Sequence, residues 1–259
     1  MQALTRDFGT LHAHVDGPDD GPAVVYANSL GTDLRLWDRV LPLLPQGLRH
    51  IRYDKRGHGL SGIGGGARID DHADDAIAVI ETLARGPVVF VGLSIGGLIG
   101  QVVAHRRPDL VRALVLSNTA ARLGTAESWQ ARINAVIDGG LDSIADAVME
   151  RWFAAPFRAT PELALWRAML TRTPARGYTA ACAALAGADQ TEATAALRLP
   201  VLVIAGSQDG ASPPALVRAT ADLIAGAACH EIPGAGHLPC VETPAAWAAL
   251  VAPFLKAHT

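Results

Sequence analysis

Pro87-Val88-Val89-Phe90-Val91-Gly92-Leu93-Ser94-Ile95-Gly96-Gly97 is the stretch from which the fold reads outward. Val88 to Val91 is apolar at every position, which is how a strand buried on both faces looks. Ile95 to His105 then carries apolar residues at helical spacing. Ser94 sits where strand turns into helix. A sharp turn there lifts the hydroxyl clear of the backbone, and Gly92 and Gly96 keep that turn free of clashing Cβ atoms. The helix start adds free N–H groups and a positive dipole end beside the hydroxyl. A Gly-x-Ser-x-Gly arises readily by accident in a chain with 26 glycines. Its place between strand and helix therefore carries more weight than the motif itself.

Similar apolar runs recur on either side. Ala23 to Asn28, His50 to Asp54, Val111 to Leu116 and Val201 to Gly206 read as buried strands, and Cys229 to Ile232 as a weaker one. Ile69–Leu83, Pro213–Ile224 and Thr243–Leu255 read as helices. Alternation of strand and helix predicts an α/β fold with a mostly parallel sheet. Two alternating segments, Leu4–Phe8 and Leu11–Val15, read as a hairpin turning at Gly9-Thr10. Residues 119–197 break the rhythm. They hold no convincing strand, are rich in Ala, Leu, Arg and Trp, and are broken by Pro156, Pro161 and Pro174. Three or four helices inserted in the core are expected, since the segment is too apolar and too long for a structureless loop. The expected division is a core of residues 1–118 and 198–259 and a helical lid of residues 119–197.

A serine hydroxyl is a poor nucleophile until a base takes its proton. On a strand–turn–helix of this kind the acid and then the base follow later in the chain. His237, in Gly234-Ala235-Gly236-His237, lies on a Gly-rich loop just past the last strand run, and Asp209 lies just past the one before. Ser94, Asp209 and His237 thus all fall at C-terminal ends of strands, where ligand and catalytic groups collect on a parallel sheet. Taken alone, Asp209 reads equally well as a cap for the helix near Pro213, and His237 also has a reading as a turn residue. An oxyanion hole needs two donors. The N–H of Ile95 is one, and the N–H of Leu30, in Asn28-Ser29-Leu30-Gly31-Thr32 after the Ala23 strand, is the other.

Asp54-Lys55-Arg56-Gly57-His58-Gly59-Leu60-Ser61 is read as structural, with Asp54 pairing Arg56, so His58 is not the base. His12, His14, His72 and His258 are placed on surface segments. No His, Asp and Glu cluster has metal-ligand spacing, and no Gly-x-Gly-x-x-Gly follows a strand with its acidic partner, so neither a metal nor another cofactor is expected. The chain has 259 residues, a net charge of −3 and only 18% charged residues. No basic stripe favours nucleic acid. The basic cluster His105-Arg106-Arg107 is read as complementing a helix end. Three cysteines without Cys-x-x-Cys spacing, no leader-like start and no long apolar run point to a cytoplasmic protein without a membrane span.

Together these motifs resemble the α/β-hydrolase superfamily over essentially the whole chain. Three stretches further resemble the 3-oxoadipate enol-lactonases: Asn28-Ser29-Leu30-Gly31-Thr32 with Leu36-Trp37-Asp38, Glu150-Arg151-Trp152-Phe153, and Tyr178 to Asp189 including Cys182. Many superfamily members carry His-Gly where this chain has Asn28-Ser29. The resemblance implies the α/β-hydrolase fold, a mostly parallel twisted sheet with helices on both faces. It also implies opening of 3-oxoadipate enol-lactone by a Ser94 acyl-enzyme, in bacterial breakdown of aromatic compounds. No cofactor would be needed, and the partner would be a small anionic lactone. Residues 119–197 hold seven arginines but also eight acidic residues, so selectivity for an anion must rest on one or two placed groups. Trp129, Arg132 and Trp152 are candidates to line that pocket. A general carboxylesterase, another lactonase or a perhydrolase with the same three residues, and a ligand receptor on a hydrolase fold, stay open; so does the oligomeric state.

Overall fold

The computed structural model describes residues 1–259. Eight strands form one sheet: β1 (Gln2–Arg6), β2 (Gly9–Asp16), β3 (Ala23–Ala27), β4 (Arg49–Tyr53), β5 (Val88–Leu93), β6 (Val111–Ser117), β7 (Val201–Gly206) and β8 (Ala228–Ile232). Their spatial order is β1-β2-β4-β3-β5-β6-β7-β8. β1 and β2 are antiparallel, and every pairing from β4 to β8 is parallel. The α/β-hydrolase fold expected from the sequence is the fold observed. β3, β5 and β7 are buried at every position, as their unbroken apolar runs require of strands covered on both faces. β8 is an edge strand in which His230 and Glu231 are exposed and Cys229 is half-buried, which is why its apolar signal is weak.

Core helices are α1 (Ile69–Leu83), α2 (Ile95–Arg106), α9 (Pro214–Asp222), α10 (Pro239–Glu242) and α11 (Pro244–His258). α2 packs along β5 and β6, α1 packs on α2, α9 on β7 and α11 on β6. Between β6 and β7 lie α3 (Ala126–Gly139), α4 (Asp142–Trp152), α5 (Ala155–Arg158), α6 (Leu163–Thr171), α7 (Ala175–Ala186) and α8 (Thr191–Ala195). Four of these have nine or more residues; α5 and α8, with four and five, are too short for periodicity to reveal. No helix is long and apolar enough to cross a membrane.

Chain direction explains where a site can form. From β3 the chain moves to β4 on one side, then returns past β3 to β5 on the other. The loops leaving β3 and β5 therefore diverge and leave a crevice at the carboxyl edge of the sheet, the usual ligand position in open α/β sheets.

Three local expectations need correction. The hairpin turns at Asp7-Phe8, because Arg6 pairs with Gly9. Phe8 leaves the ladder to pack beneath the Arg56 guanidinium, 4.2 Å from its ring centre. Asp54 does not pair with Arg56. Its carboxylate instead accepts the N–H groups of Leu34 and Leu60 and the Nδ1–H of His12, while Arg56 reaches Asp75 on α1. His72 is buried, not on the surface, and its Nε2 donates to the Gly66 carbonyl at 3.0 Å. It lies on the apolar face of α1, a position that polarity alone conceals.

Candidate active site

Ser94 ends β5 and opens α2 with φ 59° and ψ −123°, a left-handed conformation rare outside glycine. Strain of this kind costs roughly 1–3 kcal/mol and persists only where surroundings enforce it. Here the Ser94 N–H donates to the Ser117 carbonyl at 3.0 Å, and its own carbonyl accepts the Thr119 hydroxyl at 2.6 Å. The flanking glycines are required: a Cβ at Gly92 would collide with the Gly96 carbonyl, and one at Gly96 with the Ala27 carbonyl.

Asp209 follows β7 and His237 follows β8, on neighbouring loops. Their side chains meet in a buried pair, His237 Nδ1 to Asp209 Oδ2 at 2.9 Å. Every other group around that carboxylate is also a donor. Oδ1 accepts the N–H groups of Ala211 (2.7 Å) and Ser212 (2.9 Å); Oδ2 accepts the Ser212 hydroxyl (2.6 Å) and the Asn118 amide (2.9 Å). Burial works to raise the Asp209 pKa. The charge of His237 and the hydrogen bonds from His237, Ser212 and Asn118 outweigh it and leave the carboxyl below its ordinary value. An ionised carboxylate only accepts, so Nδ1 carries the imidazole proton and Nε2 is left free to act as a base. The capping reading of Asp209 is thus also realised, by the oxygen that His237 does not use.

Ser94 and His237 line one narrow cavity of about 80 Å³, together with Leu30, Trp129, Arg132, Arg151, Trp152 and Tyr178. Trp129, Arg132 and Trp152, the lining candidates, are there; Arg151 and Tyr178, which fall in the stretches resembling the enol-lactonases, were not read as lining residues. Arg132 lies over the Trp129 ring at 5.4 Å and donates to the Tyr178 hydroxyl at 3.4 Å. Burial and the charge of Arg132 lower the pKa of Arg151. Five carboxylates of the insertion, Asp142, Asp146, Glu150, Glu162 and Asp189, pair with Arg167, Arg158, Arg39 and Arg122, and none pairs with Arg132 or Arg151.

The loop after β3 is held from below. His58 Nε2 accepts the Gly31 N–H at 3.0 Å and its Nδ1 donates to the Arg56 carbonyl, so His58 is a neutral brace and Gly31 has no donor to spare. The Leu30 and Ile95 N–H groups have no acceptor within the chain and belong to residues at the cavity and beside Ser94. α4 reaches the site through its last carbonyls. Trp152 accepts the His237 N–H at 2.7 Å and Arg151 accepts the Gly210 N–H at 3.2 Å. Glu242 adds a clamp, accepting the N–H groups of Ala154 (2.7 Å) and Gly236 (2.6 Å). Asn118, Ser212 and Glu242 carry no sequence signal, because each acts across a tertiary contact. No group of three or more His, Cys, Asp or Glu side chains gathers in a way that could hold a metal ion.

A strained serine at a strand–helix elbow, with an Asp–His pair carried by the loops two and three strands away, is the arrangement that a serine hydrolase requires. The chain belongs to the α/β-hydrolase fold family, whose profile matches residues 22–244. It is 36% identical over 250 residues to 3-oxoadipate enol-lactonase 2 of Acinetobacter baylyi, covering 94% of this chain and 92% of that one. A solved enol-lactonase from Burkholderia xenovorans LB400 superposes with a TM-score of 0.94 at 36% identity, covering 98% of this chain and all of that one. A thermophilic esterase from Thermogutta terrifontis, solved with malate bound, superposes with a TM-score of 0.91 at 30% identity over the full length of both. The protein is a hydrolase.

Proposed function

We propose that the protein opens a small anionic lactone, 3-oxoadipate enol-lactone, through an acyl-enzyme on Ser94. Oγ of Ser94 attacks the ring carbonyl while Nε2 of His237 takes its proton. Asp209 holds the imidazole in the needed tautomer and stabilises the imidazolium. The N–H groups of Leu30 and Ile95 stabilise the oxyanion, charge that exists only in and around the transition state. Collapse breaks the carbonyl–ring oxygen bond, and His237 returns the proton to the enol oxygen. Water, activated by the same base, then frees the acid from Ser94, and the enol, by moving its hydroxyl proton to carbon, becomes 3-oxoadipate. Ring opening keeps acyl part and leaving group in one molecule, so a narrow cavity suffices. Residues 119–197 serve as a lid that roofs it, the remaining residues as the core.

One observation carries the choice of substrate: Arg132 and Arg151, without counter-ions, line the same cavity as Ser94 and His237. Two neighbouring guanidinium groups repel, and a bound carboxylate relieves that repulsion. The enol-lactonase relatives, and the esterase neighbour solved with a dicarboxylate, support the same reading. The test is kinetic. Purified protein is expected to open the enol-lactone with kcat/KM of about 10⁴–10⁸ M⁻¹s⁻¹. Arg151→Met should raise KM for the lactone while sparing neutral aryl esters, and Ser94→Ala should abolish turnover of both. Much faster hydrolysis of simple aryl esters would defeat the lactone assignment and leave a general carboxylesterase.

A further inference from the structure

Lys55 lies in the segment read from the sequence as structural, yet nothing structural requires an ammonium there. Its side chain is fully buried. Nζ donates to the Ser29 carbonyl at 2.7 Å and reaches the Thr32 carbonyl at 3.5 Å. It pairs with no carboxylate: Asp54 is taken by His12 and Asp33 by Arg35. Burying an ammonium without a counter-ion is costly, and a neutral amide could tether the same loop at far lower cost.

The bonded carbonyl is half of one peptide unit whose other half is the Leu30 N–H. No peptide bond in the chain is cis. Carbonyl and N–H of that unit therefore point in opposite directions, one toward Lys55 and the other away from it. The Ser29 carbonyl also accepts the hydroxyl of Thr32 at 2.9 Å and its N–H at 3.3 Å, so three donors draw electron density toward the oxygen. Polarisation of this kind makes the opposite N–H a stronger donor, because hydrogen bonds in series reinforce one another. We infer that Lys55 is a positioning and polarising residue for the oxyanion hole, acting through the Ser29–Leu30 peptide. This rests on the proposed Ser94 mechanism and adds to it a source for the strength of one of its two donors.

The surroundings make Lys55 titratable in a useful range. Burial, opposed by the nearby charges of Asp54 and Asp33, brings its pKa down to about 7. His58 and His72 also face it, and both are held neutral by burial and by the Lys55 charge. Arg56 is neutralised by Asp75. The reinforcement should therefore fade as pH rises through neutrality.

The experiment is steady-state hydrolysis of 4-nitrophenyl acetate, which carries no carboxylate, by wild type, Lys55→Gln and Ser94→Ala between pH 6 and 9.5. Glutamine keeps a donor for the Ser29 carbonyl but removes the charge. Near pH 6.5 the variant is expected to show kcat about ten-fold below wild type with KM within about two-fold, a smaller loss than deleting an oxyanion donor outright. The ratio of wild type to variant should narrow toward one by pH 9, because Lys55 is then neutral. A ratio that stays constant across the range overturns the proposal, since a merely structural lysine would give that. If Lys55→Gln does not fold, wild type alone decides: kcat must decline several-fold above neutrality, and a flat profile from pH 7.5 to 9.5 overturns the idea. Turnover that survives Ser94→Ala would instead show that the serine mechanism itself is wrong.

Discussion

At the scale of single residues, Asp209 shows how much the site depends on one side chain accepting without donating. Five donors converge on its two oxygens. Asp209→Asn would set an amide N–H₂ against some of them. We expect kcat to fall by about 10⁴ at neutral pH, as when a triad acid is replaced by an amide, and the melting temperature to fall too. Asn118→Ala removes one donor and leaves the carboxylate, so about a ten-fold loss is expected. Near-normal kcat in Asp209→Asn, measured on any ester the wild type hydrolyses, would mean His237 is not oriented in this way. Ser94, Asp209 and His237 were picked out because each lies at, or a few residues past, the end of a strand run, and the structure brings Asp209 against His237 and sets His237 and Ser94 on one cavity. Asn118 also follows a strand, but its job depends on φ 49° and on loops 91 and 118 residues further along. Nothing local encodes that. Arg151 was hidden for a similar reason: seven arginines in the insertion look alike until the fold brings Arg132 and Arg151 to the cavity that Ser94 and His237 line.

At the scale of elements, β3, β5 and β7 were legible because total burial demands unbroken apolar runs, and β6 because only Arg112 interrupts its run. The hairpin turn was less so, since Phe8 is drawn off by Arg56, far away in sequence. The contact between the loop after β4 and the start of α7 was not legible at all. Gly57 has φ 73°, and a Cβ there would fall inside contact distance of the Gly177 Cα; a Cβ on Gly177 would strike Gly57 in turn. Two backbones touch where core meets insertion. Gly57→Ala should cost at least about 2 kcal/mol, from positive φ plus the clash, and thermal or urea unfolding would read it. An unchanged midpoint would show that α7 can shift without penalty. Activity should suffer with it, because Tyr178 on the first turns of α7 lines the cavity.

At the scale of the whole molecule, several buried histidines tie stability to pH. Burial lowers His50 to about 4 and His72 to about 3, and pushes His58 well below its ordinary value, with the Lys55 charge adding to the last two. In the unfolded chain all three titrate near 6.5. Below that pH the unfolded state binds protons that the folded state refuses, so the stability these histidines contribute is complete above about 6.5 and is lost as pH falls toward 4. Each contributes up to about 1.4 kcal/mol per pH unit in that window. The midpoint of urea unfolding should therefore drop steadily from pH 7 to pH 5, and an unchanged midpoint would rule this out. The end of α4 has a different kind of consequence. Its carbonyls hold the loops of both Asp209 and His237, and Glu242 ties that same end to the loop of His237. The insertion is thus no interchangeable module. Chimaeras that take these helices from a relative to import a new preference would also import the seating of His237. Crossovers placed after Ala154 should preserve turnover, whereas crossovers at the two strand ends would give proteins that fold and bind yet turn over poorly.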